Sequence, residues 1–526
     1  MPGPRLLACL TLLLLVGMTP AADAPKLPAT LPITKLPPGK IIAHLCLLHH
    51  RVSTTSPECQ AFVDQGLGYY YSYVWMEAAR ALETATVYDP NCAMAWWELS
   101  RALEKWGRGS EATQALLKAD ALKANASFAE QQLILARMQE KGQAPGVGDQ
   151  EARKKAAIST VDKLLAIHDD DQEAWYYRAV LAGASGFGAG DGAVPFLKAL
   201  LKVNPLHPGA NHEFVHYYEN IRRPALGWPH AEKYMESSPG IPHAFHMQAH
   251  LGTRIGKWTR TTDYSSRAIE LQKAYHNELN VQPSQDWQYS HHLETLTVSL
   301  IHDGRFAEAR ACKEEAKKHN YTHADAWFRL HVGERDWDEA LKVNGKREDK
   351  NTSAYRQAMV YLKQSDTKRA APHVEVRREA YQKGKRDKKL ESRLWETQGL
   401  LLCMTGSGEA GLKLLERLVQ KTKDDYGHHA WGNGAVYMES WGCGALAANR
   451  LDAAEEAFLE ALAHDTGSAR AAMGLQVLCE RQGRSEEAHR YAALARKFWS
   501  KASPQHFEAE FNWIRSLGVG EKTSKR

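Results

Sequence analysis

The chain has 526 residues, of which 44% are hydrophobic and 25% charged, and its formal net charge is +5. That balance is ordinary for a water-soluble folded protein, but one compact core does not grow to this length, so several domains or an array of repeats is expected. The slight positive excess is spread along the chain, without the basic patch that nucleic acid needs, and no nucleic-acid partner is expected.

Arg5 precedes an apolar run from Leu6 to Met18, and small residues follow in Thr19-Pro-Ala-Ala-Asp-Ala24. A charged start, an apolar middle and a small-residue end predict a signal peptide over residues 1–22, cleaved near Ala22 or Ala24. The run is too short to span a membrane, and no later segment reaches the roughly 18 apolar residues a span requires. Cys9 lies inside the run, so no lipoprotein anchor is expected. The mature chain is therefore expected to be secreted or periplasmic, without a transmembrane segment.

Residues 23–40 carry Pro25, Pro28, Pro32, Pro37 and Pro38, which predicts an extended linker without helix. Cys46-Leu-Leu-His49 lacks the second cysteine that a c-type haem site needs. From about Ile41 onward the pattern is helical, broken briefly at Gly, Pro, Asn and Asp, and strand-like alternation is absent. Ala78 and Ala85 recur 34 residues later as Ala112 and Ala119, and Ala454 and Ala461 recur 34 later as Ala488 and Ala495. Small residues at a fixed period let the two helices of a hairpin approach closely. Asp89-Pro90 and Asn204-Pro205 stop second helices, and Trp96 and Leu99 open the next one with bulky packing residues. Gly256-Lys-Trp258, Gly304-Arg-Phe306 and Gly483-Arg-Ser485 read as turns within hairpins.

Asp169-Asp-Asp171 reads as an acidic helix start, and Tyr69-Tyr-Tyr71 and Trp175-Tyr-Tyr177 as packing between hairpins. Asn125, Asn320 and Asn351 open glycosylation sequons, relevant only in a host that glycosylates. The stretch from Lys342 to Arg393 is basic but interleaved with acids, as in a solvated surface. After cleavage seven cysteines remain; Cys92, Cys403, Cys443 and Cys479 sit in apolar helical stretches and are expected to be small buried residues rather than bridges. The expected organisation is an N-terminal array over 41–344 with a histidine-rich groove, a basic irregular helical spacer over 345–395, C-terminal repeats over 396–516 and a flexible tail over 517–526.

These features resemble the tetratricopeptide repeat. Gly66, Tyr69, Ala78, Leu82, Ala85 and Pro90 match its pattern in one unit, and Ala454, Phe458, Ala461, Gly483, Ala488 and Ala495 match it in the last ones. The likeness covers most of 58–500, with irregular spacers near 125–170 and 345–395. It implies an all-α solenoid of helical hairpins wound as a right-handed superhelix, with a concave groove that holds a protein or peptide. His49-His50-Arg-Val-Ser-Thr54, followed by Asp89-Pro-Asn-Cys-Ala-Met-Ala-Trp96, is also similar to a group of secreted bacterial repeat proteins, which brings no activity with it.

The chemistry lies between His207 and His331. His212 and His246 are 34 apart, and so are His216 and His250. At about 100° per residue, His243, His246 and His250 share one helix face, as do His212 and His216. His243 and His246 precede Gly256 by 13 and 10 residues; His291 and Glu294 precede Gly304 by the same 13 and 10. Three successive first helices are thus expected to present His212, His216, His243, His246, His250, His291 and Glu294 to one groove, as ligands for a transition metal such as zinc, copper or iron. Rings beyond the ligand count would orient the others through their second nitrogen. A groove that uses these rings without metal, to bind a peptide, is the plainer reading. His276, His302, His319, His323 and His331 fall off this face and are expected on the surface or in packing. His49 and His50 precede the first repeat and have no spacing that places them.

His212-Glu-Phe-Val-His216 is also H-E-x-x-H, which in a zinc hydrolase supplies two ligands and, here as Glu213, a general base. The third ligand is the difficulty. No histidine or glycine follows His216 at the expected places, and Glu236 lies beyond Pro224 and Pro229 on a second helix. No G-x-S-x-G, phosphate loop or dinucleotide fingerprint is present. The sequence therefore favours a binding scaffold, with the hydrolase as the alternative.

Overall fold

The computed structural model describes residues 25–146, 148–184, 189–343, 349–384, 387–424 and 435–519. The predicted signal peptide lies outside these residues, as does all of the expected tail beyond 519. The fold is all-α: among the described residues there is no strand, only one isolated bridge between Ala184 and Ala189, and no helix is long and apolar enough to cross a membrane.

The helices pair in chain order. α1 (Pro57–Tyr71) packs on α2 (Trp75–Tyr88), α3 (Ala93–Lys105) on α4 (Gly109–Ala121), α5 (Phe128–Glu140) on α6 (Gln150–Leu165) and α7 (Gln172–Leu181) on α8 (Val194–Val203). α9 (Pro208–Asn220) with α10 (Pro224–Ser237), α11 (Pro242–Ile255) with α12 (Trp258–Leu279) and α13 (Trp287–His302) with α14 (Phe306–Lys318) form the middle. α15 (Ala324–Glu334) and α16 (Trp337–Lys342), α17 (Lys350–Lys363) and α18 (Thr367–Gln382), α19 (Lys388–Met404) and α20 (Gly408–Thr422), α21 (Val436–Ala447) and α22 (Leu451–His464), and α23 (Ala469–Arg481) and α24 (Ser485–Phe498) follow, and α25 (Pro504–Ser516) covers the end.

Local chemistry sets these boundaries. Ser127 and Glu130 form a capping box at α5, and Asp171, the last of the acidic triplet, caps α7 by accepting from the Ala174 amide. Ala78, Ala85, Ala454 and Ala461 are fully buried between paired helices, as their period predicts. The Phe458 ring lies against Gly442 and Gly474, where a methyl group would come within 2.4 and 2.3 Å of it. The stretch 345–395, read as an irregular spacer, holds the regular hairpin α17–α18 and the start of α19. Asp349, Asp366 and Asp387 cap these helices, so the repeat continues where its consensus residues lapse.

The proline-rich segment is non-helical, as expected, but it is docked. The Ile33 and Thr34 amides donate to Glu83, Gly39 to Thr84 and Ile42 to Gln65. The segment then crosses to the turn between α10 and α11, where Leu47 donates to the Ser237 carbonyl and Gly240 to the Leu45 carbonyl.

The array coils until units five or six apart touch. Tyr275 donates to Glu77 across 198 residues and Gln288 to the Ser72 carbonyl across 216. Further on, Trp258 donates to Asp465 across 207 residues and Trp499 to the His302 carbonyl across 197. Gly256, in the left-handed region at φ 71°, sits so close to Asp465 that a Cβ would come within 2.1 Å of its carboxylate. The tail of α1 is held from inside: the Tyr71 hydroxyl bonds Glu173, which also takes Arg101, itself paired with Glu98 at 2.9 Å.

Burial, reinforced by Glu439, pushes Asp465 up to about 7. A carboxyl raised above its unfolded value of about 4 favours folding when protonated; that contribution is complete below about pH 4 and is lost as pH rises through about 7. Asp465→Asn, which keeps an acceptor for Trp258, should add about 1–3 kcal/mol at pH 8 and little at pH 4.5. Thermal melts at both pH values check this; equal shifts at the two would contradict it.

Candidate metal centre

α9, α11 and α13 are the first helices of three consecutive hairpins, and their histidines converge. They divide into two trios. The ligand nitrogens of His212, His216 and His243 lie within 4.8 Å of one another, and so do those of His246, His250 and His291. Inside the trios, His212 Nε2 is 3.2 Å from His243 Nε2, and His246 Nε2 is 2.9 Å from His291 Nε2 and 2.7 Å from His250 Nε2. His212 and His246 are fully buried and His291 is half-buried.

The outer nitrogens show which way the inner ones face. His212 Nδ1 lies 2.6 Å from the Tyr71 carbonyl, and a carbonyl only accepts, so Nδ1 carries the proton and Nε2 turns a lone pair inward. His250 Nδ1 is 3.3 Å from both oxygens of Glu219, which orients that ring the same way. Burial would raise Glu219, but His250, His216 and Arg254 together hold it well below the usual carboxylate range. Arg254 donates to it at 2.8 Å, and His216 Nδ1 lies 3.7 Å away. One carboxylate thus touches a ring of each trio.

Burial, then neighbouring rings, lowers His212, His243 and His246 well below the ordinary histidine value, and burial, then His250, lowers His291 to about 3. The rings are neutral at pH 7, which is the form that binds metal. Three nitrogens that converge at 2.7–2.9 Å cannot all be joined by N–H···N bonds, since His246 Nε2 holds either one proton or one lone pair. A cation at their centre satisfies all three.

Residues without a place in the spacing argument complete the site. Tyr73, at φ 59° in the turn between α1 and α2, roofs the first trio, with its ring centre 4.3 Å from His212 and 5.8 Å from both His216 and His243. Its hydroxyl donates to Glu213 at 2.9 Å. Tyr234 and Gln288 hold the adjacent Ser72. His292 is buried with its ring centre 3.9 Å from His246, and its Nδ1 is 2.6 Å from the Gln272 amide oxygen. Glu219 had a signal in sequence, one helical turn beyond His216 on the same face. His292 had only its neighbour His291, and Tyr73 had none.

Six of the seven expected ligands come together; Glu294 does not join them. It lines a cavity of ≈480 Å³ beside His291, with Asp325, Arg329, Lys388 and Arg393. The face of α13 explains the miss: His291 and His292 are the residues that meet His246 on α11, and Glu294 turns to the cavity. Burial, then Asp325, raises Glu294. Glu213 is fully enclosed, raised by burial, and faces tyrosine rather than a ring of the cluster, while Glu236 is exposed on α10. Exposed His49 pairs with Asp64 at 2.7 Å. His276, His302, His323 and His331 are buried packing residues, with His302 stacked on Trp258.

Residues 63–129 and 440–506 match the family model described as Tetratricopeptide repeat. No curated protein matches the chain. Among solved structures it is similar to the TPR domain of P58(IPK), at 11% identity and a TM-score of 0.24, over 81% of this chain and 99% of that one. It is also similar to the human IFIT1 dimer with m7Gppp-AAAA, at 12% identity and a TM-score of 0.27, over 84% of this chain and 90% of that one. Likenesses this distant carry no argument about ligands. Helical hairpins throughout the described residues, with the family's own pattern near both ends, make the chain an all-α helical-repeat protein that carries tetratricopeptide repeats.

Proposed function

We propose that this chain is an extracytoplasmic tetratricopeptide-type scaffold that holds a transition metal at its paired histidine trios and binds a protein or peptide in the adjoining groove. The observation that supports it most is the convergence of six imidazoles from α9, α11 and α13, five of them buried and two oriented by a carbonyl and a carboxylate at the outer nitrogen. Burying so many rings serves no apolar core, and an all-nitrogen donor set suits zinc or copper. The groove next to it is walled by first helices, as repeat scaffolds use for partners: His291, Arg329, Tyr355 and Arg393 belong to α13, α15, α17 and α19. The secreted or periplasmic location rests on the N-terminal sequence, outside the described residues.

Elemental analysis of protein purified without chelator tests the metal: bound zinc, copper or iron is expected, and no metal together with no uptake on titration would sink the reading. Glu213→Gln should leave metal content unchanged, because that carboxylate is engaged by Tyr73; in a zinc hydrolase the same change would keep the metal and abolish peptide or ester cleavage. Glu219→Gln should weaken zinc binding roughly 10–100-fold, as seen when an orienting partner of a ligand histidine is removed. Competition titration against a zinc-sensing dye measures it, and unchanged affinity would remove Glu219 from the site.

A further inference from the structure

We propose that the histidine cluster holds two metal ions of unlike access: one locked beneath Tyr73 by His212, His216 and His243, and one held by His246, His250 and His291 at the wall of the cavity, where it exchanges and takes an added oxygen ligand. This rests on the reading of the cluster as a metal centre and says how many ions it holds and which of them is reachable.

The count follows from direction. Each ring offers one nitrogen to its trio, and in His212 and His250 the other nitrogen faces the Tyr71 carbonyl and Glu219. Six inward donors exceed a four-coordinate ion, and they separate into two groups of three. The groups adjoin, since His243 and His246 are one turn apart on α11 with ring centres 5.7 Å apart. Glu219 reaches a ring of each and supplies negative charge between them.

Access differs by construction. Every ring of the first trio is buried, the Tyr73 ring covers it, and Ser72 beside that ring is fixed by Tyr234 and Gln288. None of these three histidines lines the cavity of ≈480 Å³, whereas His291 does. A three-nitrogen ion on that wall keeps an open position, as catalytic and transport sites do, while a covered one is closed. Glu219 is the carboxylate that reaches both trios, and two dications beside it leave excess positive charge. The ligand that completes the open site is therefore anionic oxygen, hydroxide or a carboxylate. Arg329, Lys388, Lys389 and Arg393 outnumber Asp325 and Glu294 on the same cavity, and this excess attracts such a group.

The full-length protein loaded with zinc alone, then challenged with EDTA at neutral pH, reads both claims. Two zinc ions per chain are expected, released in two phases at least roughly tenfold apart in rate. His291→Ala should remove the fast phase and keep the slow one, and Tyr73→Ala should speed the slow phase. Cobalt(II) in place of zinc should show a visible band that shifts on adding acetate in the wild type but not in His291→Ala. One zinc per chain overturns the pair and leaves the metal reading standing; no zinc overturns both. Two ions leaving in a single phase overturn the difference in access, and the wild-type count and kinetics decide this even if a variant fails to fold.

Discussion

A single helical hairpin has an apolar stripe on each helix and nothing of its own to cover it, so each unit is stable only against its neighbours. That dependence forces successive units into one relative orientation, and equivalent positions on successive first helices then aim the same way. The histidine cluster follows from this. His212 and His216 on α9 lie one 34-residue period before His246 and His250 on α11, and the His216 and His250 ring centres are 6.2 Å apart. The stack also bears the expense of the site. Burying neutral imidazoles removes their hydration, and each outer nitrogen left without a partner costs about 1–3 kcal/mol; the Tyr71 carbonyl, Glu219 and Gln272 keep that cost down at three of the rings.

Much of this was legible in the chain. The alanine period located the hairpins, the Asp-Pro and Asn-Pro pairs marked the ends of α2 and α8, and six of the seven residues that spacing placed at one groove lie together. What was missed has physical causes. Glu294 was chosen by counting back from Gly304 as if α13 turned the same face to the groove as α11 does. His291 and His292 are the residues of α13 that meet His246. Over 345–395, expected as an irregular helical spacer, the consensus residues fade, yet aspartate caps and buried Ala358, Ala370 and Leu394 preserve the hairpins. Consensus measures resemblance between units, whereas the fold needs only caps and a stripe.

Tyr73 and the proline-rich segment were illegible for another reason. Both act across the coil, where the path of the superhelix rather than any local pattern decides who meets whom. Binary patterning records which face is apolar; it does not record the small rotation per unit that, summed over six units, brings the turn after α1 onto α9 and α13. The tyrosine occupies a left-handed backbone position that such residues rarely adopt, and it is held there by groups more than 130 residues away: its hydroxyl reaches Glu213 across 140 residues.

The contacts between units five or six apart also change what sort of folding problem the chain presents. An open solenoid is quasi-one-dimensional, with stability a sum of neighbour terms and local contacts that assemble fast. Trp75 against Trp287, Trp258 against Asp465 and Trp499 against His302 add closures of about two hundred residues. They raise the contact order and tie early units to late ones. At a synthesis rate of about 5–20 residues per second, the first hairpin waits roughly 10–40 seconds before the surface that covers its turn exists. Through that interval Tyr73 lacks Glu213 and Trp75 lacks Trp287, so the nascent chain is stickiest at its own beginning, and a helper that shields this hairpin early would do more for yield than any gain in stability of the finished coil.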